Sequence, residues 1–328
     1  MQEPSPRSNP RVSIVIPAYN EEGNVEELCK RLAAMKAAAT FTFEVVLVDD
    51  GSTDRTGPLL ASLRSRYDFL RILTHSHNRG LTEALQTGFA KARGDIFIFY
   101  PADLQYHPED IPAMIAKIDE GNDMVTGWKQ GQYSKRFVSS IYNSLSRRIF
   151  GLKVHDLNSV KAFRREVVEG MFLRRDWHRY LVAMAVQQGY RVDEVKMPLY
   201  PRFSGQSKFS GLWRIPVGVL DMLAVKSQMT LLKKPLLFFG VPGAVLIVAA
   251  FIIGLVAIYL RVAFNSGHRP LLYLVIFLSV MGVSFFVLGF LAEALTAIKE
   301  ELAGVRQAVQ KLGSEINGRD ADSDEQDR

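Results

Sequence analysis

One cysteine, Cys29, stands among 328 residues, so neither an intrachain disulfide nor a cysteine zinc cluster can form. A G-x-G-x-x-G fingerprint and a G-x-x-x-x-G-K-[ST] loop are both absent. Phosphates bound by this chain are therefore not held by the amides of those loops. Residues 1–11 are polar and proline-bearing and lack the apolar core of a signal peptide, which predicts a large N-terminal part that stays on the cytoplasmic side. Two stretches, 236–260 and 271–292, lack charge altogether. A spanning helix needs about 20 apolar residues, so two transmembrane helices are predicted, joined by a short outer loop over 261–270. An even number of spans puts both termini on one side.

Charge is plentiful elsewhere, with 40 basic and 34 acidic side chains giving +6. It is unevenly placed. Between 202 and 234 stand Arg202, Lys208, Arg214, Lys226, Lys233 and Lys234 against Asp221 alone. This segment directly precedes the first apolar stretch and reads as a surface for anionic lipid head groups or phosphates. Nucleic acid is disfavoured, because the basic residues adjoin membrane spans rather than forming a separate basic domain. The loop between the spans carries Arg261 and Arg269, so the positive-inside bias toward a cytoplasmic catalytic part is present but modest.

The chain is organised around Ile96-Phe97-Ile98-Phe99-Tyr100-Pro101-Ala102-Asp103-Leu104-Gln105. The apolar run predicts a buried strand, ended by a proline that cannot continue a central strand. Asp103 and Gln105 then offer oxygens just past a strand end, where open α/β sheets bind ligands. Either they serve a hard cation such as Mg2+ or Mn2+ together with substrate phosphates, or they form a polar turn. Strands are also predicted at Val12-Ser13-Ile14-Val15-Ile16, at Glu44-Val45-Val46-Leu47-Val48, over 70–73 and around Val125-Thr126. Helices are predicted from Tyr19 through Met35 and over 81–92. The alternation implies a doubly wound, mostly parallel α/β sheet. Residues 129–135 read as a polar loop. Phe137, Ile141, Leu145 and Ile149 recur every four residues among Arg136, Arg147 and Arg148. That row is either the buried side of a helix packed on the sheet or a membrane-surface face. Leu295, Ile298, Leu302, Val305, Val309 and Leu312 continue past the second span as a helix able to pair with a partner or to lie on its own domain or on the bilayer. The predicted organisation is a disordered 1–11, a catalytic domain over 12–200, a basic juxtamembrane segment over 201–234, two spans within 235–292, and a polar helix with an acidic tail over 293–328.

Three motifs, Val15-Ile16-Pro17-Ala18-Tyr19-Asn20-Glu21-Glu22, Val48-Asp49-Asp50-Gly51-Ser52-Thr53-Asp54 and Ala102-Asp103-Leu104-Gln105, resemble the inverting family 2 glycosyltransferases of the GT-A fold. The closer match is the polyprenyl-phosphate branch, which includes dolichol-phosphate mannosyltransferases and undecaprenyl-phosphate glycosyltransferases. Asp156 with Lys161-Ala162-Phe163-Arg164-Arg165-Glu166, and Arg202-Phe203-Ser204-Gly205-Gln206-Ser207-Lys208, are similar to that branch too. The resemblance spans about 12–292. It implies that Pro17, Tyr19 and Glu21 line the nucleotide base, that Val48 and Asp50 hold base and ribose, and that Ala102 and Asp103 meet ribose and diphosphate. It also implies that Asp103 and Gln105 bind the metal, and that Arg202 and Lys208 close over the diphosphate or acceptor phosphate. The family usually reads Asp-Ala-Asp-Leu-Gln; Pro101 replaces the first acid here and removes one nucleotide contact. The stretch Leu157-Asn158-Ser159-Val160 is also shorter than in many members.

The implied reaction moves a sugar, with inversion, from a nucleotide sugar of the UDP-glucose or GDP-mannose type to a polyprenyl phosphate at the cytoplasmic membrane face. A phosphate monoester has a second pKa near ~6, so the nucleophile needs positioning more than deprotonation. Asp156 is the candidate acid or base on the acceptor side, with a helix cap or turn acid as its bland alternative. Asp50 can equally cap the helix after Gly51. Arg202 and Lys208 can equally face lipid. His178 and Arg179 either touch a phosphate or are structural. Rival readings are a polysaccharide synthase of the same family, for which two spans are few and the Gln-x-x-Arg-Trp signature is missing, and a weakly catalytic scaffold that recruits a flippase or second transferase. A homo-oligomer is compatible with all of them.

Overall fold

The computed structural model describes the backbone of residues 9–131, 136–169, 171, 174, 176–204, 214–231, 234–265 and 267–326. The chain divides into two compact units, Met1–Pro216 and Val217–Arg328.

The first unit is built on β1 (Val12–Ala18), β2 (Phe43–Asp49), β3 (Leu70–Thr74), β4 (Ile96–Phe99), β5 (Met124–Gln130), β6 (Lys161–Arg164) and β7 (Val192–Pro198), ordered β3-β2-β1-β4-β6-β5-β7. β1, β2, β3 and β4 pair in parallel, as do β5 and β7. β6 runs antiparallel to both β4 and β5. Every residue of β2 is buried, the pattern of an inner strand covered on both faces. The strands foreseen near 12, 44, 70, 96 and 125 are present. β6 and β7 carry no strong alternation in sequence and were not foreseen. β5 also runs on through Lys129 and Gln130, which the sequence reading assigned to a loop.

Helices α1 (Val25–Ala38), α2 (Thr56–Arg66), α3 (Leu81–Lys91), α4 (Ile111–Asp119), α5 (Arg136–Phe150) and α6 (Leu181–Gln187) accompany the sheet. α1 buries Val25, Leu28, Cys29, Leu32 and Met35, one face at three- and four-residue steps. It starts at Val25 and not at Tyr19, because Asn20 has a left-handed φ of 52° and 19–24 form a turn. Burial pushes the Cys29 thiol up to about 12, so it behaves as a small apolar core group.

α5 reverses the simplest reading of its pattern. It buries Asn143 and Ser146 and leaves Ile141 50% exposed. Leu145 and Ile149 are only half-buried. The helix therefore turns polar groups inward and part of its apolar row outward.

The strand order sets the site. The chain moves from β1 to β2 and β3 on one side, then crosses to β4 on the other. The reversal leaves a crevice beyond the carboxyl ends of β1 and β4, the usual ligand position in such sheets. α3 lies close on β1 there: a Cβ at Gly88 would stand 2.3 Å from Val15 Cγ1.

α7 (Arg214–Leu231) crosses the division between the units. In the second unit α8 (Pro235–Phe264) and α9 (Arg269–Gln326) are antiparallel neighbours, and the windows Pro235–Phe264 and Arg269–Ile298 are long and apolar enough to cross a membrane. Their apolar side chains point outward, as lipid-facing residues do; Phe251, Ile258, Phe277 and Phe290 are exposed. Small residues hold the pair together. A Cβ on Gly243 would meet Gly282 O at 2.8 Å, and one on Gly282 would meet Ile247 Cγ1 at 2.6 Å. Glu293 Oε2 accepts the Leu236 N–H at 3.1 Å, satisfying one orphan donor at the start of α8.

Candidate active site: two clefts beyond the strand ends

The first cleft, about 140 Å3, is lined by Pro17, Glu21, Leu81, Phe99, Pro101, Ala102, Asp103 and Arg202. Residues from the first and third motifs thus meet in one place. The second motif explains how. The turn after β1 is clasped to the loop after β2 by side chains that bond backbone across the gap. Asn20 N donates to Ser52 Oγ at 3.0 Å, Thr53 N to Asn20 Oδ1 at 2.8 Å, Glu21 N to Thr56 Oγ1 at 2.8 Å, and Arg55 N to Glu22 Oε2 at 3.0 Å. Burial pulls the Asp54 carboxyl upward, but hydrogen bonds from Thr56 and Glu22 outweigh it and leave the group below its usual range.

Asp50 lies in this scaffold and is 3% exposed. It does not cap the helix after Gly51. Its Oδ1 accepts from His75 Nδ1 at 2.7 Å and Arg79 N at 2.9 Å, and its Oδ2 from Gly80 N at 2.8 Å. It therefore folds the turn that delivers Leu81 to the cleft. Gly51, with φ 69°, comes so close to the next strand's loop that a Cβ would lie 2.3 Å from His77 C. Val48 is fully buried beside its register partner Pro17. Tyr19 is half-buried in the turn.

Asp103 is held by its own loop. Leu104 has φ 55°, the Tyr100 hydroxyl donates to Tyr106 O, and Gln105 N donates to Asp103 Oδ1 at 3.2 Å. Gln105 O accepts from Tyr200 N at 2.9 Å, and Tyr200 stacks on His107 at 3.6 Å. This lays the segment after β7 across the loop and sets Arg202 Nη2 3.0 Å from Asp103 Oδ2. Arg202 therefore faces the cleft carboxylate. Lys208 lies outside the described residues. Among the described residues no cluster of three His, Cys, Asp or Glu could hold a metal. The donor set still suits a hard cation, since a carboxylate has about four lone-pair sites and Asp103 uses one on each oxygen. Magnesium commonly takes one or two carboxylates plus substrate phosphates.

The second cleft, about 240 Å3, gathers Trp128, Lys129, Gln130 and Gly131 from the end of β5, Ser140, Asn143 and Arg147 from α5, and His155 with Asp156. Asp156 is 2% exposed; its Oδ2 pairs with Lys129 Nζ at 3.3 Å and its Oδ1 accepts from Asn158 N at 2.9 Å. Lys129 Nζ also donates to Asn158 O at 2.9 Å. Behind them, burial drops the Lys161 ammonium to about 7 against the pull of Asp156, while its Nζ donates to Ser159 O at 2.8 Å. Asn143 is 7% exposed, and its Oδ1 and the Arg147 Nε are buried without a hydrogen-bond partner among the described residues. Native structures leave few such groups unsatisfied, and a ligand is one standard reason.

Lys129, Asn143 and Arg147 were missed in sequence as site residues. A signal existed: Ser140, Asn143 and Arg147 recur at three- and four-residue steps, a polar row on the same helix as the apolar one. His178 resolves as structural. It accepts or donates at 2.9 Å to Thr82 Oγ1, stands edge-on to Phe99, and burial pushes its imidazole down to about 3. A neutral imidazole supplies no cation for phosphate.

Residues 13–178 match the model of glycosyl transferase family 2. The chain belongs to that family. It is 33% identical to dodecaprenyl-phosphate galacturonate synthase from Rhizobium johnstonii over 86% of each chain. It is 30% identical to undecaprenyl-phosphate 4-deoxy-4-formamido-L-arabinose transferase from Pseudomonas paraeruginosa, over 87% of this chain and 84% of that one. Among solved structures it resembles glucosyl-3-phosphoglycerate synthase from Mycobacterium tuberculosis in complex with Mn2+, UDP and glucosyl-3-phosphoglycerate. That match has a TM-score of 0.52 at 20% identity and covers 67% of this chain and 81% of the other. The family 2 chain is thus a glycosyltransferase on a GT-A sheet.

Proposed function

We propose that this glycosyltransferase carries a sugar from a nucleoside diphosphate in the first cleft to a polyprenyl phosphate whose phosphate enters the second, with inversion, at the cytoplasmic membrane face. The observation that carries this reading is the second cleft itself. Lys129 and Arg147 give it positive charge, and its buried Asn143 amide and Arg147 Nε lack partners. A phosphate supplies acceptors for Arg and Lys donors. The Asn143 amide can turn to offer its N–H, since its O and N are interchangeable in such assignments. Both curated relatives are named for transfer to a polyprenyl phosphate.

In the first cleft, Pro17 and Glu21 form the base side, with Tyr19 and Val48 beside them, and Asp50 fixes the loops around it. Ala102 and Asp103 meet the ribose and diphosphate. Asp103 and Gln105 would hold Mg2+ or Mn2+, whose charge, when bound, stabilises the departing diphosphate. Arg202 adds a fixed cation, and Lys208 extends the same basic segment. In the second cleft, Lys129 and Arg147 hold the acceptor phosphate, which at neutral pH is largely dianionic and needs no base. Asp156 fixes the Lys129 ammonium and so orders the nucleophile. The outward apolar row of α5 and the basic stretch over 202–234 suit an interface where the lipid tail stays in the bilayer.

The test is transfer by purified full-length protein in detergent. Donors would be UDP- and GDP-linked glucose, mannose, galacturonate and 4-deoxy-4-formamido-L-arabinose, with undecaprenyl phosphate as acceptor. Magnesium, manganese or chelator would be compared. Sugar-lipid formation from one donor, lost with chelator, is expected. Transfer that ignores chelator would overturn the metal assignment, and no transfer to the lipid phosphate with any donor would overturn the acceptor.

A further inference from the structure

One element of the second cleft has no part in the reaction described so far. His155 is pinned on three sides. Its Nδ1 lies 2.5 Å from Glu194 Oε1, and its backbone N–H donates to Glu194 Oε2 at 2.6 Å. Its ring lies flat on the Trp128 indole, centroids 4.0 Å apart and planes within 9°. Lys196 also stands over that indole, its Nζ 5.3 Å from the ring centroid. A carboxylate on one ring nitrogen and an aromatic face along the ring fix both tautomer and orientation. Among the described residues the Nε2 edge has no hydrogen-bond partner, and His155 is part of the cleft wall.

The charges around it decide what that edge can take. Glu194 faces it from β7, where Lys196 stands over the neighbouring Trp128; Lys129 from β5 and Arg147 from α5 share its cleft, and Asp156 follows it in the chain. Lys129 is already shared with Asp156. Glu194 sits on the Nδ1 side, and Asp156, the acid that shares the cleft, is paired with Lys129. When both ring nitrogens are protonated, each donates: Nδ1–H to Glu194 and Nε2–H into the cleft.

We infer that His155 is an acceptor-binding residue whose Nε2–H donates to an oxygen of the dianionic phosphate monoester, with Glu194 and Trp128 as the residues that position it. This rests on the reading of the second cleft as the acceptor-phosphate site. The dianion offers that N–H more negative charge than the monoanion does.

Two substitutions separate the two ring nitrogens. Asparagine at 155 places an amide near the Nδ1 position and keeps the Glu194 bond but loses the edge facing the cleft. Glutamine reaches toward the Nε2 position and keeps a neutral donor there. The backbone bond to Glu194 survives in both. The experiment is steady-state transfer by full-length protein in detergent, varying undecaprenyl phosphate and donor separately across about pH 5 to 8. His155→Asn is expected to raise the acceptor KM about tenfold, the scale of a lost charge-assisted hydrogen bond, with the donor KM within about twofold of wild type. His155→Gln is expected to give a smaller rise.

Arg147→Gln separates failure of this inference from failure of the site. If Arg147→Gln raises the acceptor KM and His155→Asn equals wild type at every pH, the cleft takes the phosphate without His155 and the inference falls. If His155→Asn lowers thermal stability and kcat while leaving both KM values alone, the residue is structural and the inference falls. If neither variant moves the acceptor KM, the acceptor sits elsewhere and both readings fall together.

Discussion

The two clefts lie beyond strand ends of the same sheet, yet they are built in opposite ways. The first is closed upon itself. Its loops are tied by side chain to backbone bonds, Asp50 spends its oxygens on three donors, and Asp103 already has Arg202 as a counter-ion. The second is left open. Asp156 and Lys129 form a pair at its base, but an amide oxygen and a guanidinium nitrogen on its wall have no partner among the described residues. The difference teaches where each cleft draws its specificity. The first presents a shape that exists before the ligand arrives. The second holds polar groups that a ligand must satisfy, which costs stability in the free protein and favours a ligand rich in acceptor oxygens.

The largest effect should come from removing the cleft carboxylate. Asp103→Ala is expected to lower kcat by about a hundredfold to a thousandfold, the scale seen when one group stabilising developing charge is lost. Circular dichroism should stay unchanged, because Asp103 bonds its own loop and Arg202, neither of which lies in the sheet. A variant with near wild-type kcat would show that the first cleft does not carry the leaving-group charge. Next in size is Arg147→Gln, expected to raise the acceptor KM by about ten- to a hundredfold through loss of a charge-assisted contact. Its donor KM should stay put, and equal shifts in both KM values would abolish the division of labour between the clefts.

The sequence exposed the two clefts unequally, and for a physical reason. The first is made of three short contiguous motifs, each placed just past a strand end. Any chain that buries strands like Ile96-Phe97-Ile98-Phe99 must deliver Asp103 to the same edge as Pro17. The two apolar helices were equally plain, since each contains a long run without charge. The second cleft draws Lys129 from a strand end, Arg147 from a helix and His155 from a loop, and nothing local marks them as neighbours. α5 misled further. Its four-residue apolar row suggests an inward face by the ordinary rule for soluble helices, whereas the folded helix buries Asn143 and Ser146. Asp50 shows the remaining limit. Its motif was recognisable, but its three bonds come from residues at 75, 79 and 80, which only the fold brings near.

The rigidity of the first cleft can be broken without touching a ligand-facing group. Gly51 has φ 69° and stands against the His77 backbone, which cannot yield as a flexible side chain would. Gly51→Ala adds a Cβ in a left-handed conformation and a backbone clash together. It is expected to destabilise the first unit by about 1–3 kcal/mol and to raise the donor KM more than the acceptor KM. Thermal unfolding and the two KM values measure this. A rise confined to the acceptor KM would mean that the loops after β2 serve the second cleft instead.

The smallest expected effect is a pH dependence of stability from His178, the histidine beside the first cleft. Folded, burial holds its imidazole at about 3, against 6.5 for the free group. Between those values the unfolded chain binds a proton that the folded chain does not, so stability falls as pH drops from about 6.5 toward 3 and is unaffected by this group above 6.5. His178→Gln keeps an amide within reach of Thr82 but removes the titration. The loss of thermal stability between pH 7 and pH 5 should therefore be smaller in His178→Gln than in wild type, while transfer at pH 7.5 changes little. If the two proteins lose stability in parallel, His178 is not held neutral. The phosphate contact that its neighbourhood with Arg179 suggests in sequence would then regain its footing, and the first cleft would hold one more cation than its geometry assigns.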